Sequence, residues 1–237
     1  MPQTGISIKS KKPLVTHPDL IVYLHGALGS ASDWQQKVTM APHESVALDF
    51  AGHGHAPFTC SDFLPDTLME EARERLFQQY PNRRIALVGY SFGGYVAARW
   101  AHAYPDEVVR VTAMATRWIW NADFAHEEAE KVHPDHLMDK APAFVEQLQR
   151  QHGAMSWKSL CLLTGEMMQF LGEKAPDPEH WLPQVKVPLA LVTGDRDRMA
   201  TAEQTLTAFR WLKHPEASLQ ILPKVKHPLA SYPEHLF

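Results

Sequence analysis

Ile85-Ala86-Leu87-Val88-Gly89-Tyr90-Ser91-Phe92-Gly93-Gly94 decides how this chain folds. Four consecutive apolar residues run into Gly-x-Ser-x-Gly, and small residues at helical spacing (Gly94, Ala97, Ala98, Ala101) come next. The apolar run predicts a buried strand and the small residues a helix packed close against it. Glycines two positions either side of the serine leave room for a sharp turn between them, where a side chain would strike the neighbouring backbone. A hydroxyl held on such a turn stands clear of the backbone, which a serine nucleophile requires. Gly-x-Ser-x-Gly alone arises by chance in about one chain in fifteen of this length, so the strand before it and the helix after it carry the inference.

Outward from this turn, short apolar runs alternate with segments of helical period. Strands are predicted at Ile6-Ser7-Ile8, Leu20 to Leu24, Ser45 to Asp49, Ile85 to Tyr90, Val108 to Ala115, Leu189 to Thr193 and Leu219 to Leu222. The alternation predicts an α/β protein, a mostly parallel central sheet flanked by helices. Leu68, Ala72 and Leu76 repeat every four residues in one helix, and Phe92 begins another that stops near Tyr104, before Pro105. Thr201-Ala202-Glu203-Gln204 reads as a capping box leading to Leu206, Phe209 and Leu212 on one face. Residues 117–184 break the pattern, with no convincing strand and with Trp118, Trp120, Phe124, Phe144, Trp157, Met167, Met168, Phe170 and Trp181 scattered through helical segments. They predict a helical cap inserted between two late strands, with residues 1–116 and 185–237 forming the core.

Composition bounds the function. The chain has 237 residues, 45% hydrophobic and 21% charged, enough for one sizeable core. Its 27 acidic and 23 basic residues give a net charge of -4 with no long basic run, which argues against a nucleic-acid partner. No apolar stretch approaches a membrane span, and the first residues lack a signal-peptide core, so a cytoplasmic protein without membrane association is expected. Cys60 and Cys161 are too few for a disulfide framework and are expected as buried thiols. His133 and His136 stand three apart without a third ligand, so neither a metal nor any other cofactor is expected. Oligomeric state is not readable.

Two further segments complete a chemistry around Ser91. His25-Gly26-Ala27-Leu28-Gly29 follows a strand, and the backbone N–H groups of Ala27 and Phe92 are the natural pair to stabilise an oxyanion. His25 either fixes that loop or meets substrate. The base and its orienting acid belong at later strand ends: Gly194-Asp195-Arg196-Asp197 follows one strand, and His227 follows the last. Among 14 histidines, His227 is distinguished by that place alone. Asp195 competes with Asp197 as the acid.

With these residues in place the chain resembles the α/β-hydrolase superfamily along nearly all of its core, through His25-Gly26, the Asp49-Phe50-Ala51-Gly52-His53-Gly54 loop, Gly89-Tyr90-Ser91-Phe92-Gly93-Gly94, Gly194-Asp195-Arg196-Asp197 and His227. The resemblance implies a Ser91, Asp197, His227 triad, in the chain order of that fold, and the acid three residues beyond Gly194. Leu24-His25-Gly26-Ala27-Leu28-Gly29-Ser30 is also similar to the menaquinone-pathway lyase branch, which usually has an arginine where this chain has Tyr95. Only ten residues follow His227, which implies a missing or very short final helix. The expected activity is hydrolysis of a carboxylic ester or related acyl bond of a small apolar or aromatic substrate. A lyase using the same triad and a non-catalytic binding member of the fold stand as alternatives. Expected substrate-binding residues are His25, Tyr95, Arg117, Trp118 and Trp157, with Arg117 either receiving a substrate carboxylate or forming an ordinary salt bridge.

Overall fold

The structure is a computed structural model that describes residues 18–233. The strand expected at Ile6-Ser7-Ile8 lies outside the described residues. Six strands form one all-parallel sheet: β1 (Leu20–Leu24), β2 (Ser45–Leu48), β3 (Ile85–Tyr90), β4 (Val108–Met114), β5 (Leu189–Gly194) and β6 (Ser218–Leu222), in the order β2-β1-β3-β4-β5-β6. Each falls within a residue of an apolar run. Central strands are buried from end to end in β1, as an apolar strand covered on both faces should be, whereas edge strand β6 leaves Ile221 44% exposed.

Helices fill the crossovers. A 3-10 turn (Ala31–Trp34), capped reciprocally by Ser30 and Asp33, leads into α1 (Gln35–Met40). α2 (Pro65–Gln79) buries Leu68, Ala72 and Leu76 completely, and α3 (Phe92–Ala103) buries nearly its whole length beside β3 and β4. Between β4 and β5 come α4 (Ala122–Val132), α5 (Pro134–Lys140), α6 (Pro142–Gln151), α7 (Trp157–Glu173) and α8 (Pro178–Trp181), with no strand among them. Three of these open with proline, whose fixed backbone and missing N–H suit a first helical turn. α4 lies along α7, burying Ala125 and Ala129. Trp34, Trp100 and Trp118 are fully enclosed, each contributing roughly 1.5–3 kcal/mol or more of burial.

α9 (Ala202–Trp211) corrects one expectation. Thr201 caps it, accepting from the Gln204 N–H at 3.4 Å, without the reciprocal half of a capping box, and the fully buried places go to Gln204, Thr205 and Ala208, while Phe209 and Leu212 pack only partly buried against the core. Gln204 turns inward because its amide has other partners: Oε1 accepts from the N–H groups of Trp118 and Ile119, and Nε2 donates to the Met199 carbonyl. A buried amide with those bonds satisfied outweighs the apolar periodicity. After β6 the described chain ends in a 3-10 turn, Leu229–Ser231.

Candidate active site

Ser91 sits between β3 and α3 with φ 53° and ψ -116°, a conformation costing a non-glycine residue about 1–3 kcal/mol. The turn is over-determined. The Ser91 N–H donates to the Met114 carbonyl at 2.7 Å, and its own carbonyl accepts from Gly94 at 3.0 Å. A Cβ on Gly89 would collide with the Gly93 carbonyl, and one on Gly93 with the Leu24 carbonyl, so only glycine allows β1, β3 and α3 to approach this closely.

The Ser91 Oγ lies 3.2 Å from His227 Nε2, and His227 Nδ1 lies 2.8 Å from Asp197 Oδ2. A carboxylate can only accept, so Nδ1 carries the proton and Nε2 offers its lone pair to the serine hydroxyl. Asp197 is itself fixed. Its side chain is fully buried, and Oδ1 accepts from Met199 at 2.9 Å and Ala200 at 2.7 Å. Asp195, the competing acid, turns away and accepts from the Lys224 N–H at 2.6 Å. The structure thus brings Ser91, Asp197 and His227 into one line. Tyr90 donates to the His227 carbonyl at 3.0 Å, holding the histidine loop from below.

The N–H groups of Ala27 and Phe92 make no hydrogen bond to another described residue, and both residues border the cavity that holds Ser91. The loop bearing Ala27 is braced by buried histidines. Phe50 N–H donates to His25 Nε2 at 3.1 Å, so Nδ1 is protonated and bonds the Gly26 carbonyl at 2.8 Å. With both nitrogens used and the ring fully enclosed, His25 supports the loop and does not line the cavity, which removes it from the expected substrate contacts. His152, at the end of α6, accepts from Gly54 N–H at 2.9 Å and donates through Nε2 to the Leu28 carbonyl at 3.1 Å. Leu28 has φ 59°, so His152 pins a strained residue of the same loop. His53 lies between these two, its ring centroid 4.7 Å from that of His25 and 5.8 Å from that of His152. Burial holds all three below the ordinary imidazole range, His53 furthest, with its two neighbours adding to the effect.

The cavity at Ser91 is small, about 40 Å³, and is lined by Ala27, Phe92, Tyr95, Arg117, Trp120 and the α7 side chains Met167, Met168 and Leu171, with Met199. Two of the expected contacts are therefore present, Tyr95 and Arg117. Tyr95 is buried edge-on to Trp181, which pushes its phenol up to about 12. Arg117 forms no salt bridge with a described residue, contrary to the ordinary alternative; it donates to the Met199 carbonyl at 2.9 Å and stacks on Phe124. Trp118 is fully buried in the core and Trp157 packs half-buried at the start of α7, so neither reaches this cavity. Sequence reasoning missed Leu171 and Met199. Leu171 falls one helical turn beyond Met167, a usable signal, whereas Met199 has none. An open groove of about 890 Å³ adjoins His227 and Asp197 and is bordered by Phe124, by the cations Lys131, Arg196, Arg198 and Lys226 and by the carboxylates Glu128 and Asp195.

Comparison with known proteins places these features in context. A family model described as the alpha/beta hydrolase family matches residues 21–237. The provisionally named 2-succinyl-6-hydroxy-2,4-cyclohexadiene-1-carboxylate synthase of Haemophilus influenzae is 40% identical over 86 residues, covering 34% of this chain and 33% of that protein. Protein ABHD8 of Homo sapiens is 33% identical over 97 residues, covering 39% and 22%. The matched segments thus span about a fifth to a third of these curated relatives. Among solved structures, an esterase from Thermogutta terrifontis superposes with a TM-score of 0.68 at 18% identity, covering 88% of this chain and 82% of that one. MenH from S. aureus superposes with a TM-score of 0.70 at 16% identity, covering 92% and 90%.

Proposed function

Because the chain belongs to the alpha/beta hydrolase family, we propose that it hydrolyses a carboxylic ester or related acyl bond of a small substrate through an acyl-enzyme on Ser91. The observation that carries this is the line Ser91 Oγ, His227 Nε2, His227 Nδ1, Asp197 Oδ2 beside two unpaired amides. As Ser91 attacks the carbonyl carbon, its proton passes to Nε2, and the imidazolium formed is stabilised by Asp197 across 2.8 Å. The carbonyl oxygen gains negative charge, for which the amides of Ala27 and Phe92 are free donors and the N-terminus of α3 a favourable field. His227 then protonates the leaving alkoxide, and water repeats the sequence on the acyl-enzyme.

In this reading residues 117–184 act as a cap over the site and residues 1–116 and 185–237 as the catalytic core. The small cavity, apolar but for Ser91, Tyr95 and Arg117, favours short acyl groups, since a dry cavity that takes benzene measures about 150 Å³. The free thiols Cys60 and Cys161 suit a cytoplasmic enzyme, and no helix among the described residues is long and apolar enough to cross a membrane.

A fluorophosphonate probe should label the protein and fail to label Ser91→Ala, and p-nitrophenyl acetate turnover should vanish in the same variant. Equal labelling of both proteins refutes the nucleophile. A second reading, elimination by proton abstraction at His227, draws on the segment 40% identical to the synthase. Pyruvate release from that pathway's intermediate at rates far above ester cleavage would favour it.

A further inference from the structure

Arg117 is the unexplained group of this cavity. It follows β4 directly, after Ala115 at φ 50°, and so stands at the C-terminal edge of the sheet where ligands of parallel α/β folds bind. Its guanidinium has five N–H donors, of which one meets the Met199 carbonyl, and Nε is buried without a partner among the described residues. The nearby carboxylate Glu128 is engaged by Lys131 at 2.5 Å and lies outside ion-pair distance of Arg117. Burial lowers the Arg117 pKa to about 10. Phe124 and Trp120 cover its faces, the Phe124 centroid 3.2 Å from Cζ, which fixes the plane of the fork. Packing alone would be served as well by an uncharged side chain, without the desolvation of a cation. On the adjoining groove Arg196, Arg198 and Lys226 form no ion pair with a described residue, and together with Lys131 they outnumber its carboxylates, Glu128, Asp195 and Asp197, by one, a slight cationic excess beside His227.

We infer that Arg117 is an anion-binding residue of the Ser91 cavity, and that the substrate carries a carboxylate on the part that enters it. This rests on the acyl-hydrolase reading above and narrows it to the monoesters of short dicarboxylic acids and their like. A carboxylate would take the unused N–H groups bidentately, exchanging an unpaired buried donor for a charge-assisted pair.

The test compares monomethyl succinate with methyl levulinate, which replaces the carboxylate by a neutral methyl ketone of similar shape, by methanol release from the full chain. Wild type should prefer the succinate ester in kcat/KM on the order of 10- to 100-fold, the range of a hydrogen bond to a charged group. Arg117→Leu should bring that ratio near one, and Arg117→Lys should keep part of it, with thermal melts confirming that both variants fold. An equal loss on both esters would show that Arg117 acts on the oxyanion or on packing, and would overturn the inference, as would a wild-type ratio near one. Succinate binding to Ser91→Ala, by calorimetry, separates the two readings. If neither ester is cleaved yet succinate binds and the added Arg117→Leu abolishes binding, the hydrolase reading falls and the anion site stands. If esters are cleaved and succinate does not bind, the anion site falls alone.

Discussion

Replacing Asp197 by asparagine tests the site most sharply, because its surroundings dictate how an amide must sit. Oδ1 accepts two backbone N–H bonds, from Met199 at 2.9 Å and Ala200 at 2.7 Å, in a fully buried setting. The asparagine oxygen must stay there, since an NH2 group would face two donors. Its NH2 is then aimed at His227 Nδ1, which must become an acceptor and send its proton to Nε2. Nε2 stands 3.2 Å from Ser91 Oγ and in that tautomer has no lone pair to receive the serine proton. The expected loss in kcat is roughly 10³- to 10⁴-fold, about 4–5.5 kcal/mol at 1.36 kcal/mol per decade. KM should change little, since Asp197 does not line the Ser91 cavity. Asp195→Asn keeps an oxygen for the Lys224 N–H and should stay within about threefold of wild type, as a turn residue would. Both variants are assayed on p-nitrophenyl acetate, with circular dichroism confirming the fold. If Asp195→Asn loses several decades while Asp197→Asn does not, the tautomer reasoning is wrong.

Stability should fall in mild acid. His25, His53 and His152 are held below the ordinary value of 6.5 in the fold, so as pH drops the unfolded chain takes up protons first. The stabilisation is complete above that value and is lost below it, at up to about 1.4 kcal/mol per pH unit for each histidine. Thermal melts from pH 7.5 to 5 should decline, more shallowly in His53→Phe, and equal slopes would contradict this. Leu171→Ala and Met168→Ala should enlarge the Ser91 cavity, cost about 2–5 kcal/mol of stability, and shift the preferred p-nitrophenyl ester to longer acyl chains. An unchanged chain-length profile would remove α7 from the acyl site.

The fold was legible because parallel strands announce themselves as uninterrupted apolar runs, and β1, β3 and β5 do so plainly. Ser91, Asp197 and His227 were legible because each stands at a strand end in a fixed order. What failed was orientation inside helical segments. Trp118 and Trp157 looked like pocket residues by type alone, yet Trp118 enters the core while Trp120, two positions on, reaches the cavity. On α9 the inward place of Gln204 is not legible, because its backbone partners lie more than eighty residues away in sequence, at Trp118 and Ile119. No local pattern encodes such pairings, and His152 bonding Leu28 and Gly54 is of the same kind.

That His152 bridge has a consequence for substrate traffic. On its flank, α6 and the residues after it are moored to the turns below by further contacts: Gly153 and Ala154 N–H groups on the Gly54 carbonyl, and Gln151 Nε2 on Ser30 at 2.8 Å and on Asp33 at 3.0 Å. The groove there, between Gln147, Gln151, Ala27 and His227, is bounded by the residues so moored. Across the site, the flank near Phe124 meets the 195–199 loop through side chains alone, Arg117 and Gln204 both donating to the Met199 carbonyl at 2.9 Å. The two sides of Ser91 are therefore held differently, by backbone bonds on one and by side-chain bonds on the other, so enlarging a substrate at its acyl end and at its alcohol end should carry unequal penalties.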